Sequence, residues 1–464
     1  MKLSVLVASC LATLACASSG CGGGSADAPA ANRASAAGNP SGGSSAAAEG
    51  GAAGKLNGSA GGAPNAGSSG LGGAGAAGSA GSAVVTSGGS AAGTPAGAGA
   101  GGSAADPEPG YPPRANVLQV LERVNRQFAD KWPDPGAPIV VGGVSRPSNI
   151  WTRAVYYEGL LGLYAVDPQP QFVSYAVAWG EAHAWGLRDG DATTTNADNQ
   201  CAGQTYLDLY ELDGARDAQR IAAIQTSIDG MLAKQITNAW TWVDAIQMSM
   251  PVYARLGALQ PSGGYFEAMY ALYSYPKRTL GLFNTSDHLW WRDANWKAQQ
   301  TPSGKQVYWS RGNGWVFAAL ARSLERLPAA DPHRAEYEQD FTAMARALLS
   351  VQRDDGFWNP SLGDASHFGG PESSGTALFV YGLAWGIRSG LLDEPSFAPA
   401  LLRAWQALVD VAIQPNGFVG YAQSTGDDPS DGQPLSASKT PDFEDYGVGC
   451  VLLGGSELAK LSRR

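Results

Sequence analysis

Six apolar stretches rich in small residues recur between residues 151 and 458, and nothing else in the chain narrows its fold as much. They span 151–164, 200–212, 244–256, 313–327, 374–387 and 446–458. Each opens on polar, glycine or aromatic residues and continues as a helix-period run of Gly, Ala and Leu, while strand-like alternation is scarce. A helix that is apolar around its whole circumference must be packed on several sides. Every gap between the stretches has room for a second, more amphipathic helix, as at 167–185, 215–233 and 333–352. Inner and outer helices in alternation, six of each, predict an all-α chain folded as an (α/α)6 barrel of six helical hairpins.

In such a barrel the inner helices run parallel and their starts converge on one face. Free N–H groups and the positive dipole ends gather there and favour an anionic ligand. The residues at these starts are Trp151 and Arg153, Asp198 and Gln200, Trp242 and Asp244, Trp309 and Arg311, Glu372 and Ser373, and Asp442 and Asp445. They predict a funnel that is acidic, aromatic and arginine-bearing. Asp244 follows Trp240-Thr241-Trp242-Val243. Two indoles beside a carboxyl form a sugar-stacking wall and keep it partly dry, which raises its pKa toward that of a general acid. The competing reading is a helix N-cap, a common use of Asp. Asp198, one repeat earlier, is the natural second carboxylate. Arg311 has no acid at i+4, and its planar fork suits a substrate carboxylate; an ion pair across the ring is the structural alternative. Trp290, Trp291, Arg292 and Asp293 read equally as loop packing or as a binding platform, and His288 is given no role.

The rest of the chain is simpler. Residues 1–21 carry a lone Lys2 and a short apolar run, which predicts a signal peptide too brief to span a bilayer. Small residues precede Cys21, the expected lipid acceptor of an exported, periplasmic or cell-surface protein, with Cys16 as its rival. Residues 22–109 are almost wholly Gly, Ala and Ser and predict a flexible linker. All 14 Trp, 17 Tyr and 12 Phe lie beyond it, so 110–464 is the single globular domain, expected to be monomeric. The whole chain carries a net charge of −10 without basic runs, which argues against a nucleic-acid partner. His183, His288, His333 and His367 form no metal-spaced set, and no phosphate-cradling glycine loop follows a strand; neither metal nor cofactor is expected. Cys201 and Cys450 remain in the domain, paired or free.

The stretches NADNQCAGQTYLDLY, WTWVDAIQMSMP, GLFNTSDHLWWRD, YWSRGNGWVFAAL, PESSGTALFVYGLAWGI and TPDFEDYGVGCVLLGGSE occur in this order across residues 115–460. The ordered set resembles glycoside hydrolase family 105, the unsaturated rhamnogalacturonyl hydrolases, and the related family 88 of unsaturated glucuronyl hydrolases. The resemblance implies the (α/α)6 barrel, Asp244 as general acid/base and Asp198 as assisting carboxylate. It also implies that Trp242, Trp309, Arg311 and Trp315 line the subsite for an unsaturated sugar. The substrate implied is an oligosaccharide capped by a 4,5-unsaturated uronate, removed by hydration of the double bond. Two other readings stay open at this point: a conventional inverting glycosidase on the same fold, and a surface glycan-binding lipoprotein in which both acids merely cap helices.

Overall fold

The computed structural model describes residues 110–462. The expected signal peptide, its acceptor cysteines Cys16 and Cys21, and the linker 22–109 lie outside these residues. The helices, in chain order, are α1 (Arg114–Lys131), α2 (Trp151–Val166), α3 (Pro170–Ala182), α4 (Ala197–Gln200), α5 (Ala202–Leu212), α6 (Gln219–Ala233) and α7 (Asp244–Leu259). There follow α8 (Tyr265–Ser274), α9 (Ala294–Lys297), α10 (Ser310–Leu324), α11 (Arg334–Ser350), α12 (Ser373–Ser389), α13 (Glu394–Ala407) and α14 (Asp445–Leu461).

Six of these close a ring. Helix α2 packs on α5, α5 on α7, α7 on α10, α10 on α12, α12 on α14, and α14 back on α2. A second layer backs the first: α3 behind α2 and α5, α6 behind α5, α8 behind α7, α11 behind α10, α13 behind α12, and α1 behind α14. This is the helical barrel that the apolar repeat predicts, and Trp151 and Asp244 open their helices where expected. Inner helices are buried almost throughout; every residue of α10 is buried, Arg311 and Arg322 included.

Small residues are what let the ring close. Where α14 crosses α2, a Cβ on Gly449 would stand 2.2 Å from the Val155 carbonyl oxygen, and one on Gly159 would stand 2.4 Å from that of Gly449. Only glycine fits where two helix backbones approach this closely. Within the ring, Arg322 reaches Glu158 at 2.8 Å and Gln247 Nε2 donates to the same carboxylate at 3.0 Å. Removal from water raises the Glu158 pKa, and the Arg322 charge opposes that rise.

Two short hairpins decorate the barrel: β1 (Ile139–Val141) with β2 (Val144–Arg146), and β3 (Phe283–Asn284) with β4 (Leu289–Trp290). The second is bolted to α10, because Asn313 accepts from the Trp290 N–H at 2.8 Å and donates to the Trp290 carbonyl at 3.0 Å. That anchorage fixes the residues that follow, Trp291 to Asp293, at the mouth of the barrel. Cys201 and Cys450 are both buried and free.

Candidate active site

Asp244 and Asp198 are brought together at the starts of α7 and α4, and neither is a helix cap. The residue before α7 is Val243, which offers no side-chain cap. The cap of α4 is Asn196, whose side chain accepts from the N–H groups of Asp198 at 2.8 Å and Asn199 at 3.4 Å. Both carboxyls are therefore released from the bland role that their positions suggested. The Asp198 carboxyl is pushed up to about 7, first by its removal from water and then by the negative charge of Asp244. Arg292 and Arg188 act against that rise.

Arg292 is held over Asp244 by backbone pairing. Trp242 and Asp293 form an antiparallel bridge, and the Val243 N–H donates to the Arg292 carbonyl at 3.0 Å. The side chain then folds back: its Nε donates to Asp244 Oδ2 at 3.2 Å, and its Nη1 donates to Asp293 Oδ2 at 2.8 Å. Nη1 also lies 4.0 Å from Asp427 Oδ2, on the long loop between α13 and α14. The sequence left Arg292 between packing and platform; the structure makes it the cation of the acid pair.

That long loop is organised by Gln423, which sequence reasoning did not single out. Its Oε1 accepts from the Trp309 indole N–H at 2.8 Å, and its Nε2 donates to the carbonyls of Pro429 and Asp431, each at 3.1 Å. The Tyr446 hydroxyl donates to the Gln423 carbonyl. Carboxylate oxygens of Asp427, Asp428 and Asp431 lie within 4.8 Å of one another in this loop. Asp431 Oδ2 accepts from the N–H groups of Asp427 at 2.7 Å and Asp428 at 3.0 Å, so the grouping is a turn held by its own backbone.

The other expected site residues divide. Trp242 is partly exposed, as is Trp151, which meets Trp315 edge-on at 6.3 Å and Tyr446 at 5.3 Å. Trp309, Trp315 and Arg311 are buried at 1%, 0% and 1% exposure. Arg311 lies between the rings of Trp309 (4.4 Å) and Tyr446 (4.9 Å), and its Nη2 donates to the Ser424 carbonyl at 2.6 Å. The guanidinium expected to face substrate instead ties the Gln423 loop to α10. Several other residues at the helix starts turn inward too. Arg153 pairs with Asp445 at 2.9 Å, both fully buried, and Glu372 caps α12 through the N–H groups of Ser374 and Gly375. A start packed on several sides sends its polar residues to its neighbours, and periodicity alone does not reveal which ones stay open.

The chain is similar in sequence and in fold to several known proteins. The sequence model of Glycosyl Hydrolase Family 88 matches residues 120–462. An unsaturated 3S-rhamnoglycuronyl hydrolase of Formosa agariphila is 29% identical over 330 residues, covering 67% of this chain and 84% of the relative. A protein of the same name from an Alteromonas species is 28% identical over 336 residues, covering 68% and 78%. Among solved structures, a glycosyl hydrolase family 88 protein from Bacteroides vulgatus superposes with a TM-score of 0.68 at 30% identity, covering 75% of this chain and 99% of that one.

Proposed function

From its membership of Glycosyl Hydrolase Family 88, an assignment the match over residues 120–462 secures, we propose that this glycoside hydrolase removes a 4,5-unsaturated uronate from the non-reducing end of lyase-generated oligosaccharides. The observation that carries the reading is the acid pair at the mouth of the barrel, with Asp198 raised to about 7 beside an Asp244 that is bound to Arg292. Such a pair enters the reaction near neutral pH with one proton and one negative charge.

The substrate end is an enol ether, so its C4 is basic. The pair's single proton, carried on Asp198, passes to Asp244 and from there to C4, leaving both carboxyls ionised, and positive charge develops at C5 and the ring oxygen. Water adds at C5, losing its proton to the pair. The resulting hemiketal opens to a C5 ketone, and the hemiacetal thereby formed at C1 expels the neighbouring sugar with its oxygen. Trp242 and Trp151 supply apolar surface at the mouth for the sugar faces, with Trp309 and Trp315 packed behind. The two relatives named as rhamnoglycuronyl hydrolases support rhamnose as the sugar released. The six-hairpin barrel works as a monomer, exported by the signal at residues 1–21 and lipid-anchored at Cys21, as the small residues before that cysteine support. Cys21→Ser, with fractionation and lipid labelling, checks the anchor; unaltered membrane association of the variant removes it.

Isotopes test the chemistry. Turnover in deuterated water places deuterium on C4, and turnover in ¹⁸O-labelled water places label at C5. Label at C1 with no deuterium at C4 identifies a conventional hydrolase instead.

A further inference from the structure

Resting on that reading, we propose that Arg292 is the receiver of the uronate carboxylate, and that Asp427 is the stand-in it releases when substrate enters. Three carboxylates surround this one guanidinium: Asp244 at 3.2 Å, Asp293 at 2.8 Å and Asp427 at 4.0 Å. They are not held alike. Asp244 sits at the start of α7, and its backbone is tied through Val243 to Arg292 itself. Asp293 also caps α9, accepting from the Asn295 N–H at 2.8 Å, so it is fixed from two sides. Asp427 is the most distant of the three, half exposed at 52%, and belongs to a surface loop. A fourth carboxylate arriving at this cation displaces the weakest partner, and that is Asp427.

The geometry also selects against the alternatives. Arg311 is 1% exposed and stacked between two rings, with Nη2 on the Ser424 carbonyl and Nη1 3.4 Å from the Tyr446 hydroxyl, so it is closed off from the barrel mouth. Arg188 bears on Asp198 and is paired with Asp189 at 3.3 Å, making it the competing cation on the loop before α4. Arg188 is the more exposed, at 42%, but it is Arg292, 21% exposed, that bonds Asp244 directly, and among the described residues its Nη2 has no hydrogen-bond partner. Its position answers a chemical need as well. The substrate carboxylate is attached to C5, next to the C4 that must meet the acid. A guanidinium already bonded to Asp244 through Nε can take that carboxylate on its open edge and bring C4 to the same Asp244.

The test is a ratio. A lyase-generated unsaturated uronyl–rhamnose disaccharide and its methyl ester are compared as substrates, with kcat/KM measured for the enzyme and for Arg292→Lys, Arg292→Gln, Asp427→Asn, Arg188→Gln and Arg311→Lys. The lysine variant keeps a positive charge beside Asp244 but loses the fork. Its preference for acid over ester is expected to fall roughly 10–100-fold, and the glutamine variant's at least as far. Asp427→Asn is expected to lower KM for the acid several-fold and leave that for the ester unchanged. Retention of the acid preference by both Arg292 variants, or its collapse in Arg188→Gln or Arg311→Lys, overturns the assignment while leaving the reaction intact. A rise in KM for the acid in Asp427→Asn overturns the displacement. Failure of the unaltered enzyme to hydrate any unsaturated uronoside removes the underlying function instead, so the two failures are told apart.

Discussion

Replacing Asp198 with asparagine removes a carboxyl that burial and the charge of Asp244 push up to about 7. With that pKa the proton is present on about 90% of molecules at pH 6 and about 10% at pH 8. If that proton is the one delivered to C4, kcat/KM falls about tenfold for each pH unit above 7. The rate is followed by the loss of ultraviolet absorbance of the conjugated enol acid, across roughly pH 5 to 9 at constant ionic strength. Arg188 and Arg292 lower the Asp198 pKa, so Arg188→Gln should carry the alkaline limb to higher pH. Stability moves in the same window. Because the folded pKa lies above the unfolded value of about 3.9, this group's contribution is fully present below pH ~4 and is lost as pH rises through 7. Asp198→Asn therefore gains melting temperature relative to the parent at pH 8 but not at pH 4. A parent profile that stays flat from pH 6 to 9, or an alkaline limb that persists in Asp198→Asn, refutes the shared proton.

Asp244→Asn keeps the size of the side chain and, since Asp244 caps nothing, should fold normally while losing at least ~10²–10⁴-fold in turnover, more than Asp198→Asn; circular dichroism and initial rates check both halves. Arg311→Lys gives up the bond to the Ser424 carbonyl and the stacked fork, so calorimetry should show a loss of about 1.5–3 kcal/mol, and an unmoved melting temperature would return Arg311 to the substrate. Gly449→Ala gains about 1 kcal/mol of helix propensity, but its methyl meets backbone atoms of α2 that no side-chain rotation can clear. Overpacking of this kind costs about 1–3 kcal/mol or more, so net destabilisation is expected in thermal unfolding, and a more stable variant contradicts the close crossing.

How much of this was legible in the sequence depended on whether the deciding contact was local. Inner helices announce themselves because a segment buried on all sides is apolar on all sides, and α10 is buried at every residue. Asp198 and Asp244 were legible as polar residues at helix starts. What freed them from capping was the neighbour that each helix uses: Asn196 two residues before Asp198, and an uncapped Val243 before Asp244. Arg292 was not legible, because its partner Asp244 lies 48 residues away and is reached through a bridge between two loops. The inward turn of Arg311 was hidden for the same reason: Ser424 lies 113 residues downstream, and a fork suited to a carboxylate is equally suited to a carbonyl and two aromatic rings.

The seam between α14 and α2 has a consequence for how the molecule comes into being. Helix α14 lies against α2, α12 and α1, so the final segment joins the beginning of the domain to its end. An open array of repeats can stop one repeat early and remain a shorter array. Here, a chain that ends before Asp445 leaves the flanks of α2 and α12 facing each other across a gap, with apolar surface on both sides. During synthesis, then, the ring cannot close until α14 has emerged. The same adjacency offers a new pair of ends. Joining the start of α1 to the end of α14 by a short connector, and opening the chain at a loop on the outer layer, would preserve every helix–helix contact while letting the seam form within a continuous stretch of chain.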